Sequence, residues 1–261
     1  MLHATWNLVL AGADDTEAAT AATLVCGCTL FAVPAAVTWD VGTDALPFVL
    51  GSAAFELGYV ITLATGLGRG DLSVVYPLAR GSAPVLVATV SAGFLGAATS
   101  LPQLAGIAVV ATGVLLVRGL RRPDDPVVVV IALACGACIA GYTLVDSHGI
   151  EHAAALPYLW FVMVLTATGY VPLVAATRGP AALRAAFRPA TVLAGALFFA
   201  AYLLVLAALR IADPGPVAAV RESSVVIAAG LGYLVLGESV TRARAAGAAV
   251  VLAGVALIAL A

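Results

Sequence analysis

Apolar residues run through this chain in long blocks, separated by short clusters of charged and turn-forming residues. The clearest blocks cover residues 18–38, 126–145, 153–177, 189–209 and 245–261. Each approaches the length of about 20 mostly apolar residues that one helix needs to cross a bilayer. The uncharged stretch 81–117 is too long for one crossing and breaks between Gly96 and Pro102, which gives spans near 72–96 and 102–118. Two more spans run near 45–67 and 213–236, each interrupted by a charge or a proline. That makes nine full crossings. A tenth helix precedes them, but from Met1 to Gly12 it has about twelve residues, roughly 18 Å of helix, against a hydrocarbon core of about 30 Å. The expectation is that the sequence begins inside the first helix.

The loops between blocks are short, which makes consecutive helices antiparallel neighbours. Arg121-Arg122-Pro123-Asp124-Asp125 is the strongest break and divides the chain into residues 1–122 and 123–261. The predicted fold class is all-α: a polytopic membrane protein of about ten transmembrane helices in two inverted five-helix repeats.

Composition fixes the solvent. Hydrophobic residues make up 63% of the 261 positions and charged residues 10%, against about 25% charged in a soluble domain. So few charges cannot cover a globule, so lipid must face much of the surface. The formal net charge of −2 lacks the basic excess that nucleic-acid binding requires. All 12 cationic residues are arginine. Cys26 with Cys28 and Cys135 with Cys138 form close pairs, the second with C-x-x-C spacing. Both lie inside apolar runs, where cysteine reads as a small buried hydrophobe. No metal or cofactor is predicted. The first residues carry no basic segment and no small-residue cleavage site, so no cleavable signal is expected. The predicted location is the inner or plasma membrane, crossed many times.

The chain also repeats itself. A shift of 141 positions superposes Arg80 on Arg221, Ser82 on Ser223, Leu95-Gly96 on Leu236-Gly237 and Ala105-Gly106 on Ala246-Gly247. The same shift, without a gap, places Val109-Val110 on Val250-Val251 and Gly113-Val114 on Gly254-Val255. Apolar matches are cheap in so biased a sequence; glycines and intramembrane arginines are not. Five helices per copy is an odd number, so the second copy enters the membrane from the opposite side. Inverted repeats of this kind are a recurring plan of secondary transporters, which bind substrate near the midplane between the repeats.

Short motifs add a resemblance. His3-Ala4-Thr5-Trp6-Asn7 is similar to the "HA-x-WN" opening of EamA-type members of the drug/metabolite transporter superfamily. Gly237-Glu238, followed by Gly247 and Gly254, is similar to the "GE…G……G" ending of that family's repeat; in the first half Ala97 stands in place of the glutamate. The resemblance implies a ten-helix carrier of metabolites such as amino acids.

Charged side chains inside spans are functional candidates by default. Arg80 follows Pro77 and precedes Gly81, residues that weaken a helix and can open backbone carbonyls to a cavity. Its guanidinium could hold a substrate carboxylate in bidentate fashion, and Arg221 is its repeat mate. The structural alternative pairs Arg221 with Glu222 and Arg80 with Glu56. Glu56, and equally Glu222, is a candidate proton carrier in a dry pocket, and a fixed anion beside an arginine. Tyr59, Tyr76, Tyr142 and Tyr202, with Trp6, could line a cavity for an organic solute; membrane interfaces also collect aromatic residues. Trp39 and Trp160 read as interfacial or lipid-facing. Asn7 and Asp146 hold similar places in the first helix of each repeat and read as interhelical hydrogen-bonding groups before ligands. His148 and His152 read as loop residues. Gly106 with Gly113, and Gly247 with Gly254, recur at seven-residue spacing and read as helix seams, where close backbone approach supplies packing in lipid.

With ten helices, the arginines at 118, 121, 122, 178, 184, 188, 242 and 244 fall on one side. The positive-inside rule makes that side cytoplasmic and puts both termini outside; the resemblance implies termini inside. The leading functional expectation is a secondary transporter of small organic solutes, working by alternating access around a central cavity with Arg80 and Arg221. No nucleotide-binding motif is present, so protons or another ion would drive it, or transport is uncoupled. An intramembrane enzyme is the alternative, but the nucleophile, base and metal-ligand patterns it needs are missing. A non-transporting scaffold or receptor leaves the duplicated arginines unexplained.

Overall fold

The computed structural model describes residues 2–69, 72–94, 100–118, 126–224 and 242–259. Among these residues the chain is α-helical and forms no β-strand, apart from one isolated bridge between Val41 and Ala153. The helices are α1 (Leu2–Ala11), α2 (Thr16–Val37), α3 (Leu46–Arg69), α4 (Leu72–Phe94), α5 (Leu101–Arg118), α6 (Pro126–Gly149), α7 (Ala155–Ala185), α8 (Pro189–Leu209), α9 (Pro214–Arg221) and α10 (Arg242–Ala259), with a 3-10 turn at Thr43–Ala45.

Among the described residues, five helices are long and apolar enough to cross a membrane: Thr16–Val37, Thr43–Gly66, Pro126–Gly149, Ala155–Ala185 and Pro189–Leu209. Shorter apolar helical stretches run over Leu78–Ser91, Leu101–Leu116 and Ala245–Ile258. Large apolar side chains stand outward along them, among them Val33, Leu50, Val130 and Leu204. That is the surface an acyl-chain solvent selects. Of the span expected at 213–236, α9 forms the beginning, and residues 225–241 lie outside the described residues.

Local chemistry sets the helix ends. Asp15 caps α2, its Oδ1 accepting from Ala18 N–H at 3.0 Å, with Glu17 in the first turn where the helix dipole favours an anion. Prolines at the first helical position open α8 and α9. The block expected at 153–177 continues to Ala185 only because two helices join across a kink at Gly179 (φ 85°, ψ 156°). Pro180 disfavours helical backbone in the residue before it, and glycine tolerates the conformation that results.

The chain forms two compact units: residues 1–64 with 145–211, and residues 65–144 with 212–261. Each takes helices from both halves of the sequence. In the first unit α2 packs on α7 and α8, and α1 packs on α8. Cys26 is buried there, beside a Cβ built on Gly195, which would also lie 2.7 Å from Thr23 O. The Trp160 indole donates to Cys28 O at 2.8 Å, which ties α7 to α2.

In the second unit α5 runs against α10, and α4 packs on α5 and α9. A Cβ on Gly113 would lie 2.6 Å from Val251 N, and one on Gly254 2.8 Å from Val110 N. One on Gly106 would lie 3.0 Å from Gly254 O, and Gly247 O faces Gly113 at 2.9 Å. Only residues without a side chain let these backbones meet. Ile107, Val110, Val114, Ala219 and Val251 fill the space beside the seam.

Candidate functional site

The second unit buries a cluster of charge. Arg80, on α4, is 1% exposed, and its Nη1 lies 3.7 Å from Oε1 of Glu222, which is also 1% exposed. Glu222 follows the last residue of α9, at the negative end of that helix dipole, a position that disfavours an anion unless cations balance it. Two do so. Arg221, the last residue of α9, interacts electrostatically with Glu222 as well as with Arg80. Its own Nη2 donates to the Tyr142 hydroxyl at 2.7 Å, and its guanidinium carbon stands 5.6 Å from the centre of the Tyr142 ring. Tyr142 comes from α6 and is buried.

Arg80 and Arg221, repeat mates in the sequence, therefore converge on one carboxylate. The salt bridge within 4 Å joins Glu222 to Arg80 rather than to its sequence neighbour Arg221. Two guanidiniums and one carboxylate thus lie together in this unit. Oε2 of Glu222 and Nε of Arg221 are buried and have no hydrogen-bond partner among the described residues. Chemically, the cluster offers a guanidinium, a carboxylate oxygen and an aromatic face to a polar solute. Tyr76 belongs to α4, but its side chain lies outside what is described.

The other predicted residues belong to the first unit. Glu56 and Tyr59 are buried on α3, three positions apart and so on one helix face. Trp6, buried on α1, meets Phe198 edge-on with ring centres 5.2 Å apart, and Phe198 in turn meets Tyr202 at 6.1 Å. The side chain of Asn7 lies outside what is described. Asp146, near the end of α6, is 1% exposed. It accepts from the Tyr158 hydroxyl at 2.9 Å and from the Tyr202 hydroxyl at 2.5 Å, an interhelical join of α6 to α7 and α8.

Sequence reasoning missed Tyr158. Gly149, nine positions before it, was the available signal: a Cβ there would lie 2.5 Å from the Tyr158 hydroxyl. His148 and His152 both stack against Phe48, with ring centres 6.3 and 5.6 Å away. Among the described residues no group of three or more His, Cys, Asp or Glu side chains is placed to hold a metal.

Comparison with known proteins adds two findings. The model of the EamA-like transporter family matches residues 127–260. A solved structure, described only as a crystal structure of a protein, superposes with a TM-score of 0.75 over 99% of this chain and 93% of its own, at 17% identity. At that identity the likeness is one of fold. No curated protein matches the chain.

Proposed function

Because the chain belongs to the EamA-like transporter family, we propose that it is a secondary transporter of small organic metabolites, amino-acid-like or drug-like, in the cell's inner or plasma membrane. It works by alternating access around a central cavity between its two five-helix repeats. What supports the reading is the charge cluster. Cations buried at membrane depth are expensive and mark substrate paths. Here two of them, at repeat-related positions, gather at the carboxylate of Glu222. A guanidinium suits a solute carboxylate, and the Tyr142 ring suits its organic part.

Uptake and export of a labelled panel of amino acids, nucleosides and amphiphilic drugs in proteoliposomes tests the proposal, with Arg80→Ala and Arg221→Ala as comparison proteins. Loss of movement in both variants, each still helical and monodisperse in detergent, supports the cluster as the solute site. Unaltered movement in both removes it from the mechanism. A wild-type protein that moves nothing in the panel ends the transport reading for these classes.

A further inference from the structure

A second buried carboxylate lies outside the charge cluster. Asp146 sits in the last turn of α6, and both of its oxygens are held by neutral donors, Tyr158 from α7 and Tyr202 from α8. Each phenol can donate to the carboxylate and can accept from the carboxylic acid, so the same two side chains offer hydrogen bonds to either protonation state, which is what a group that loads and unloads a proton needs.

A cleft of about 650 Å³ opens at this end of the first unit, lined by Asp40, Ser147, Glu151, His152 and Arg210 among others. Ser147 on its wall is the chain neighbour of Asp146, whose own side chain is buried behind that wall. His148, Glu151 and His152 follow Asp146 on its own helix and in the turn after it, and Asp40, from the segment before α3, lines the cleft. From α3 come Ser52, beside the Tyr158 hydroxyl, and Glu56 one turn further on. From α8 comes Arg210, which donates to the backbone oxygens of Ile150 (3.3 Å) and Ala153 (2.6 Å).

We propose that Asp146 is a proton-binding site loaded from this cleft, and that its protonation couples proton movement to solute transport. A hydronium ion in the cleft passes its proton to one carboxylate oxygen and leaves as water. The new carboxyl O–H donates to the phenol oxygen that had donated to it, and the other phenol keeps its bond. Two charge-assisted hydrogen bonds become neutral ones of roughly half the strength, which loosens the join of α6 to α7 and α8. Proton release reverses each step. The coupling rests on the transport reading of the preceding subsection; the proton site does not.

Infrared difference spectroscopy on reconstituted protein, stepped between about pH 5 and pH 9 to span the carboxyl and imidazole ranges, reads the site directly. A protonated-carboxyl stretch should appear in the wild type, vanish in Asp146→Asn, and persist at a displaced frequency in Tyr202→Phe. Asp146→Glu, which stays ionisable, should keep the band and covers the case in which the asparagine variant fails to fold. A spectrum unaltered by Asp146→Asn overturns the proposal.

Coupling is read with an equimolar mixture of labelled amino acids and nucleosides under an imposed gradient of about one pH unit, which for one proton per solute sustains about tenfold accumulation. The wild type should reach that level, and Asp146→Asn should fall to simple equilibration. Tenfold accumulation retained in the asparagine variant, or solute movement without proton flux in the wild type, overturns the coupling and leaves transport standing. A wild type that moves no solute ends the transport reading, and the infrared band then decides the proton site alone.

Discussion

Removing Glu222 should destabilise the protein more than removing Arg80, although the two form one salt bridge. At 3.7 Å, with both groups 1% exposed, the attraction is about 4 kcal/mol at an effective dielectric of about 20. Desolvation of each ion opposes it with several kcal/mol, so the intact pair is close to break-even against an apolar filling. Breaking the pair is a different matter, because the survivor stays buried and uncompensated, typically at about 3–5 kcal/mol. The two survivors are not equal here. Arg80→Gln leaves Glu222 with Arg221 still beside it, so the loss should sit at or below about 3 kcal/mol. Glu222→Gln leaves two guanidiniums that repel each other without that carboxylate between them, so the loss should reach the top of that range.

The double variant keeps one cation, still bonded to Tyr142. It should be less destabilised than the sum of the single changes, with a coupling of about 2 kcal/mol. Equilibrium unfolding in mixed micelles, followed by helical circular dichroism and by tryptophan fluorescence, measures all three. The reasoning is refuted if Arg80→Gln is the more damaging change. It is refuted equally if the single changes add to within about 0.5 kcal/mol, the range expected of independent sites.

The same assay checks three further expectations. Tyr142→Phe deletes the oxygen that accepts from Arg221 at 2.7 Å but keeps the ring under its guanidinium; the loss should be about 1.5 kcal/mol, the lower end for a hydrogen bond to a charged group, since Arg221 is only partly buried. Gly113→Ala, whose Cβ would meet Val251 N at 2.6 Å, should destabilise by about 1–3 kcal/mol. Gly93→Ala, with nothing within 4 Å, should be neutral or stabilising by up to about 1 kcal/mol, and equal effects at the two glycines would refute the seam. Gly179→Ala places a side chain at φ 85°, ψ 156°, a conformation nearly confined to glycine, and should lose about 1–3 kcal/mol with the kink in α7 relaxing toward straight helix.

Much of this was legible in the sequence, and the boundary is physical. Apolar blocks foretold the long helices because lipid imposes a length on every crossing, and that constraint needs no knowledge of tertiary contacts. The seven-residue spacing of Gly106 with Gly113 and of Gly247 with Gly254 pointed to a seam for a similar reason: a packing face on one helix is written in that helix alone. Pairings between helices are not. Adjacency suggested that Arg221 would neutralise Glu222, yet consecutive residues on a helix point about 100° apart and do not face each other. The guanidinium that meets Glu222 within 4 Å comes instead from Arg80, on another helix. The repeat was the signal that linked positions 80 and 221. Nothing comparable linked Asp146 to Tyr158 and Tyr202, because the three stand on different helices and no spacing along the chain records that they meet.

Buried acids in this protein are thus balanced in two chemically distinct ways. Glu222 sits among guanidiniums, groups that do not release a proton at any biological pH, so the cations of that cluster persist across the biological range. Asp146 sits between phenols, which donate to the anion and can accept from the acid, so its surroundings serve either protonation state with one hydrogen bond reversed. An arginine-held carboxylate suits a fixed charge that orients a solute. A tyrosine-held carboxylate suits a proton that comes and goes. The division predicts opposite responses to acidification between about pH 8 and pH 5: solute affinity set by the Arg80–Glu222–Arg221 cluster should stay level, while turnover that depends on Asp146 should change. Separate measurement of binding and of flux across that range tests it, and a parallel fall of both would refute the division.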